Sequence, residues 1–390
     1  DINMLQNDIL LKHLSTVMDP ELGVNIVDLG MVKDITYTNS EVTIDLALTI
    51  AECPMRNQIE TEIKRKLKLI ENIEEVYINV VEMSKEDRSS LMTIARKNAR
   101  DNAIPTNINT RTRVIAVGSG KGGVGKSTIS TNLAVGLENL GFTTGLLDAD
   151  IWGFSIPRLL GIEGRLEANK DKKIVPYKRG GLEVVSTGLI TDDEDTALMW
   201  RGLMLSKALE QFLFDVEWGN LDYLVIDLPP GTGDIQMALG RLLPQTELVV
   251  VTTPQLSAQK VATRVADMAK RSFIPLLGVV ENMSGLVISG AVKDLNGNNI
   301  NGGAITTDFS SNCEINSNGE FEMNLDLFKK GGGLSESERL DIPLLGQVPI
   351  SNDIVIATDN GEPLIRVKPD HKASKMYNGI IDKMVSILDQ

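Results

Sequence analysis

Residues 118–128 read Gly-Ser-Gly-Lys-Gly-Gly-Val-Gly-Lys-Ser-Thr, and few short runs restrict a fold as tightly. The apolar run Val114–Val117 precedes them as a strand, and Ser127–Asn139 follows as a helix that stops at Gly141. Strand, glycine-rich loop and helix in that order form a phosphate-binding loop. Glycine is needed because consecutive backbone N–H groups must turn inward on phosphate oxygens, where a side chain would block the approach. The helix N-terminus adds its dipole. Gly120, Gly122, Gly123, Val124, Gly125, Lys126, Ser127 and Thr128 are therefore the expected cradle for ATP. Lys126 is expected on the β- and γ-phosphates and the Ser127 hydroxyl on Mg²⁺.

From Arg113 onward, short apolar runs alternate with helical stretches. Val114–Val117, Thr144–Leu147, Glu183–Ser186, Tyr223–Ile226, Leu248–Thr252, Leu276–Val280 and Leu344–Val348 read as buried strands. This alternation predicts a doubly wound α/β domain over 113–390, with a mostly parallel sheet and ligands at the C-terminal strand ends. Residues 285–330 break the rhythm. They are rich in Asn, Gly and Ser and close on Phe321-Glu-Met-Asn-Leu-Asp-Leu327, a period-two strand after an Asn-Gly-type turn at 316–319. A β-rich insertion is expected there.

Residues 1–84 form a different pattern. A helix from Met4 to Met18 stops at Asp19-Pro20. A hairpin follows, Met31–Tyr37 and Val42–Thr49, with Val42, Ile44, Leu46 and Leu48 alternating. A helix Met55–Leu69 and a strand Val76–Val81 complete a small α+β domain. It carries 15 acidic and 7 basic side chains, whereas Lys85–Arg113 carries 3 acidic and 7 basic. The change of sign sets a boundary at 84, with a basic surface helix and linker over 85–112.

Two further segments are expected at the phosphate loop. Tyr223-Leu-Val-Ile-Asp227 is an apolar strand ending in a carboxylate that holds Mg²⁺. It runs into Leu-Pro-Pro-Gly231-Thr-Gly-Asp234, where the Gly231 N–H is placed to sense the γ-phosphate. Asp148-Ala-Asp150 ends another strand, and a carboxylate there orients or deprotonates the attacking water. Capping a helix or binding solvent is the plainer role for either aspartate.

Lys121-Gly-Gly-Val-Gly-Lys126-Ser-Thr128 has an extra lysine inside the loop, and it resembles the deviant Walker A of the MinD/ParA/Mrp ATPases. Asp148-Ala-Asp150-Ile-Trp-Gly, Asp227-Leu-Pro-Pro-Gly-Thr-Gly-Asp234, Glu281-Asn-Met-Ser284 and Pro343-Leu-Leu-Gly-Gln-Val-Pro349 resemble the Mrp/ApbC branch, the iron–sulfur cluster carriers. Trp152 stands where that branch usually has tyrosine. The front domain, with Asp19-Pro-Glu-Leu-Gly, Val27-Asp-Leu-Gly30 and Thr49-Ile-Ala-Glu-Cys53-Pro54, is similar to the SufT/PaaD-like domain. The resemblance implies a slow ATPase working as a homodimer through the nucleotide face. Lys121 would reach the partner's nucleotide, Asp150 would position water, and Asp227 would be the Walker B acid. Asn282 would recognise adenine, with Pro349 among the nucleotide-binding residues. Apoprotein clients or other cluster-assembly proteins are the implied partners.

One departure bears on the cargo. The branch places a Cys-x-x-Cys shortly after Asn-Met-Ser, and a dimer pools four thiolates for a cluster. Here 281–290 contain no cysteine, and Cys53 and Cys313 are the only two in the chain. Cys313 reads as a bystander. Cys53, directly before Pro54 and a helix, sits where a helix N-terminus lowers thiol pKa, although a small buried residue is an equally ordinary reading. Whether an iron–sulfur cluster is bound stays open at this point. An ATP-switched positioning or partner-binding protein of the MinD/ParA kind, carrying no cluster, is the alternative. The formal net charge of −14 argues against nucleic acid or anionic lipid as a partner. The C-terminal helix Ser374–Leu388 is amphipathic but acidic as well as basic, so packing on its own sheet is expected instead of membrane binding. Two distant cysteines, no visible signal peptide and no ~20-residue apolar run point to the cytoplasm.

Overall fold

A computed structural model describes residues 2–20, 22–49, 55–151, 153–190, 205–231, 233–255, 264–265, 267–269, 272–308, 310–326 and 332–389. Cys53 and Trp152 lie outside these. The chain divides into two units, Asp1–Ala103 and Ile104–Gln390.

The first unit has helix α1 (Ile2–Leu14), strands β1 (Val32–Thr38) and β2 (Glu41–Leu48), helix α2 (Arg56–Leu67), strand β3 (Glu75–Glu82) and helix α3 (Lys85–Asp101). β1 and β2 form the expected antiparallel hairpin. The α2 crossover makes β3 parallel to β2. Val42, Ile44, Leu46 and Leu48 of β2 are all buried, with Leu10 and Leu14 of α1 and Ile59, Ile63 and Leu67 of α2. The basic helix α3 is capped by the Ser84 hydroxyl, which accepts from the Asp87 N–H. It is fastened to this unit by the Lys33–Asp87 ion pair at 2.6 Å and by Asn98 Nδ2 donating to the Leu22 carbonyl. Residues 104–112 belong to the second unit. There Asn107 donates from its side chain to the Phe214 and Val216 carbonyls, and Thr112 Oγ1 donates to that of Leu221.

The second unit is built on β4 (Arg113–Ser119), β5 (Thr144–Asp148), β6 (Tyr177–Arg179), β7 (Leu182–Ser186), β8 (Tyr223–Asp227), β9 (Thr246–Thr252), β10 (Leu276–Ala291), β11 (Ala304–Thr307), β12 (Ser310–Glu314), β13 (Glu320–Leu325) and β14 (Leu344–Ile350). The main sheet runs β13-β10-β9-β4-β8-β5-β7-β6, with β14 also on β10. All pairs are parallel except β6–β7 and β10–β13. Successive side chains of a strand point to opposite faces. Ile115, Val117, Val225, Val249 and Val251 accordingly enter one core layer, and Val114, Ala116, Leu224, Ile226, Leu248 and Val250 the other. Burial on both faces is why these strands read as continuous apolar runs.

The first layer is covered by α4 (Lys126–Asn139) and the C-terminal helix, here called α11 (Lys372–Leu388). Tyr377, Ile380, Ile381 and Met384 of α11 are fully buried, so its apolar face is spent on the protein itself. Among the described residues no helix is long and apolar enough to cross a membrane. Further helices among the described residues are α5 (Ile156–Leu159), α6 (Leu205–Phe214), α7 (Gly233–Leu242), α8 (Gly332–Leu340), α9 (Asn352–Asp359) and α10 (Leu364–Val367). α6 and α7 cover the second layer.

A tight contact joins α4 to this cover. A methyl group at Gly136 would overlap Ile381 Cδ1 and come within 2.9 Å of Ile365 Cδ1. Gly136→Ala is expected to lower stability by a net of up to about 2 kcal/mol, because overpacking costs about 1–3 kcal/mol against the ~1 kcal/mol that alanine gains in a helix. Denaturant unfolding checks this; a more stable variant would mean that the two isoleucines repack freely.

The insertion differs from expectation in one respect. The strand beginning at Leu276 does not stop at Val280 but runs through Ala291, pairing with β9 and β14 below and with β13 above. A bulge makes this possible, with Met283 at φ +57° and Gly285 at φ +97°. The turn before β13 is held by Asn316 Oδ1, which accepts from Asn318 N–H and Glu320 N–H, with Gly319 at φ +79°.

Candidate nucleotide site

β4 lies between β8 and β9, and the glycine loop leaves its C-terminal end. Gly123 and Gly125 take φ +79° and +78°, a region that costs a side chain energy and glycine none. Gly122 and Gly123 are exposed, and a Cβ on either would meet nothing, so their backbone faces open space. Ser119 Oγ donates to the Lys121 carbonyl at 2.9 Å and closes the loop's base. Gly125 caps α4, and Lys126 opens it.

Three side chains of α4 converge on Asp227, at the end of β8. Lys126 Nζ donates to Oδ1 at 2.7 Å, Ser127 Oγ to Oδ2 at 2.6 Å and Ser130 Oγ to Oδ1 at 2.7 Å. Lys126 is 7% exposed and Asp227 is fully buried. Lys126 and Ser130 are four residues apart on one helix face, which is the signal by which Ser130 is recognisable in the sequence.

Asp148 is the cross-strand neighbour of Asp227, at the end of β5. It is fully buried. Its Oδ2 accepts from Ser155 N–H, Ile156 N–H and Ser186 Oγ, and its Oδ1 from Asp150 N–H. Burial first, and the Asp227 charge second, push its carboxyl up to about 7, against the pull of Ser186, Ile156 and Lys126. Asp148 thereby shapes the loop that carries Asp150. Asp150 is half-buried and accepts from Gly153 N–H at 3.1 Å.

The remaining expected residues are placed as follows. Lys121 is half-buried, with Nζ 3.5 Å from Gln255 Oε1. Gly231 is exposed at φ +74°. Thr128 is half-buried, and its carbonyl accepts from Asn132 Nδ2. Asn282 is buried under the loop, with Nδ2 donating to the Val124 carbonyl at 2.9 Å. Pro349 is buried on β14, next to Val348, which pairs with Asn282. Cys313 lies apart on β12 in the insertion, its Sγ donating to the Glu322 carbonyl. Among the described residues no three His, Cys, Asp or Glu side chains are grouped to hold a metal ion.

Glycine backbone facing open space, an ammonium, a hydroxyl and a carboxylate at one helix N-terminus fit a nucleotide's phosphates and a hard cation with oxygen ligands. Residues 110–315 and 308–385 match the ParA family model described as NUBPL iron-transfer P-loop NTPase. The chain belongs to that family. Residues 8–80 match a second model, iron-sulfur cluster assembly protein. The iron-sulfur cluster carrier protein of Mycobacterium tuberculosis is 39% identical over 384 residues, covering 96% of this chain and 92% of that one. That of Deinococcus radiodurans is 35% identical over 375 residues, covering 96% and 93%. In fold, the second unit is similar to the septum site-determining protein MinD of Pyrococcus horikoshii, solved with Mg-ADP. It shares 19% identity, with a TM-score of 0.50 over 71% of this chain and 97% of that one. The NUBPL-type match spans the parallel sheet, the glycine loop and the insertion alike. The insertion that carries Cys313 occupies the stretch after Asn282-Met-Ser where the sequence resemblance leads one to expect paired cysteines.

Proposed function

We propose that this protein hydrolyses ATP with Mg²⁺ and acts in assembling iron–sulfur clusters or passing them to apoproteins, as a cytoplasmic homodimer joined at the nucleotide face. The observation that carries the ATPase part is the convergence of Lys126, Ser127 and Ser130 on Asp227 beside the glycine loop. Gly120, Gly122, Gly123, Val124 and Gly125 present backbone N–H groups to the phosphates. Lys126 turns from Asp227 to the β- and γ-phosphates, and Ser127 with Asp227 holds Mg²⁺, which supplies charge neutralisation when bound. Asp150 orients the attacking water. Gly231 offers its N–H to the γ-phosphate, Lys121 crosses to the partner's nucleotide, and Pro349 lines the base side. Catalysis of this kind is positioning plus electrostatic stabilisation. The cargo part is supported by family membership and by the 8–80 match. Cys53 and Cys313 are the only thiols available to it.

The test is anaerobic reconstitution with iron and sulfide, followed by incubation with an apo-[4Fe–4S] enzyme whose activity reports transfer. Only a labile, substoichiometric cluster is expected on the carrier, and transfer is expected to fall in Cys53→Ser. Absence of any transfer by the wild-type chain would sink the cargo reading. A stable cluster that survives both Cys53→Ser and Cys313→Ser would show that other ligands hold it.

A further inference from the structure

The chain leaves the core sheet for the insertion at the bulge of β10 and comes back to it at the start of α8. One buried carboxylate clasps both points. Glu281 is 1% exposed. Its Oε1 accepts from Ser284 Oγ at 2.7 Å and from Gln347 Nε2 at 2.9 Å, and its Oε2 from the Gly333 N–H at 2.5 Å. Ser284 closes the bulge, Gln347 is the β14 residue opposite Glu281, and Gly333 is the second residue of α8. A Cβ on Gly333 would stand 2.7 Å from Glu281 Cβ and 2.9 Å from Oε2, so only glycine brings its N–H this close. A carboxylate taken out of water is costly unless its oxygens are hydrogen-bonded. Here three donors and the N-terminus of α8 supply that compensation.

The clasp fixes two strands where they fall out of step. β10 runs from Asn282 to Leu286 while β14 runs from Val348 to Ile350, so four steps on one strand are set against two on the other. Met283 takes φ +57° within this bulge, a strained conformation for a side-chain-bearing residue that persists only where its surroundings hold it. The residue after Glu281 is Asn282, whose Nδ2 donates to the Val124 carbonyl at 2.9 Å; its second N–H and its amide oxygen make no bond among the described residues. Two residues after Gln347 comes Pro349, buried opposite the bulge. We propose, on the reading of the glycine loop as a nucleotide site with Asn282 and Pro349 on its base side, that Glu281 is a positioning residue for the base. It does not touch the nucleotide. By tying β10 to β14 and to α8 it sets the spacing of Asn282 from Pro349. Lys126, Ser127 and Asp227 take their places from α4 and β8 without it. Loss of the clasp therefore weakens the grip on the base and spares the grip on the phosphates.

The experiment measures binding of Mg–ATP, and of Mg–tripolyphosphate, which has the phosphates and no base. It uses the full chain as wild type, Glu281→Ala, Glu281→Gln and Ser284→Ala. Wild type is expected to prefer ATP. Glu281→Ala should bind ATP about tenfold more weakly, with its affinity for tripolyphosphate within about twofold of wild type. Ser284→Ala, which removes one bond and leaves the carboxylate, should fall between the two. Glu281→Gln should bind ATP within about twofold of wild type, because its oxygen can face Gly333 while its NH₂ faces Ser284 Oγ and a turned Gln347 amide. An equal fall for both ligands, as a general loosening of the fold would give, overturns the proposal. So does unchanged ATP affinity in Glu281→Ala, or a wild type that binds the two ligands equally. Exchange of the Gly333 amide hydrogen without any ligand reads the clasp by itself, and is expected to be about tenfold faster in Glu281→Ala and near wild type in Glu281→Gln. Unchanged exchange in Glu281→Ala overturns the clasp. A wild type that binds neither ligand, with the amide responding as expected, refutes the nucleotide reading and the base-positioning role with it, while the clasp stands.

Discussion

Lys126→Ala is expected to lose ATP turnover by about 10²–10³-fold, the usual loss when one preorganised electrostatic partner of a transition state is removed. Nucleotide binding should fall with it, because in the proposed site the ammonium would face the phosphates in ground state and transition state alike. Asp150→Ala should lose turnover to a similar extent and keep binding. Asp150 is half-buried at the end of β5, where its carboxylate accepts from the Gly153 N–H, and the proposed role gives it water and not phosphate to hold. Phosphate release and calorimetry on the two variants separate these roles. Full turnover in either would remove that residue from the site.

Asp227→Asn is expected to be the most destabilising single exchange in the second unit. Lys126, Ser127 and Ser130 all donate to this carboxylate. An asparagine has one acceptor oxygen and turns an NH₂ against the remaining donors. It also leaves an ammonium that is 7% exposed without its counter-charge. Breaking a buried pair in this way costs about 3–5 kcal/mol. The easier ionisation of Asp148, freed from the neighbouring charge, offsets part of that cost. At ~2–4 °C per kcal/mol the melting temperature should fall by roughly 10 °C. Adding Lys126→Met to Asp227→Asn should recover most of the loss and none of the turnover. An unchanged melting temperature in Asp227→Asn would show that the pair is already solvated.

The alternating strands and the phosphate loop were legible in the sequence because each rests on a local period or on residue types that chemistry demands at fixed spacing. Asp227 and Asp148 could be paired with the loop because each ends an apolar strand, and parallel strands bring their C-terminal ends together. Where distant segments decide the geometry, local pattern fails. The continuation of β10 to Ala291 depends on β13 and β14 arriving from later in the chain. Edge strand β6 is three residues long and carries no period of its own. The contact of Asn282 with Val124 spans 158 residues, and no spacing rule reaches that far. Ser130 is the exception, a helical neighbour of Lys126 that local reasoning passes over because a serine inside a helix usually faces water.

The cover over α4 has a consequence for how the molecule is made. α4 follows directly on the phosphate loop, yet its partners Ile365, Tyr377, Ile380 and Ile381 come much later. Ile365 N–H reaches Asn132 Oδ1 across 233 residues of chain. At roughly 5–20 residues per second, a ribosome releases the loop on the order of 10–50 s before that cover exists. During this interval the nascent chain carries a helix with one apolar side bare, beside a sheet that still lacks β14. Such a surface is what holding chaperones bind. The segment of the proposed phosphate site is thus synthesised 233 residues ahead of the partner that meets its helix at Asn132.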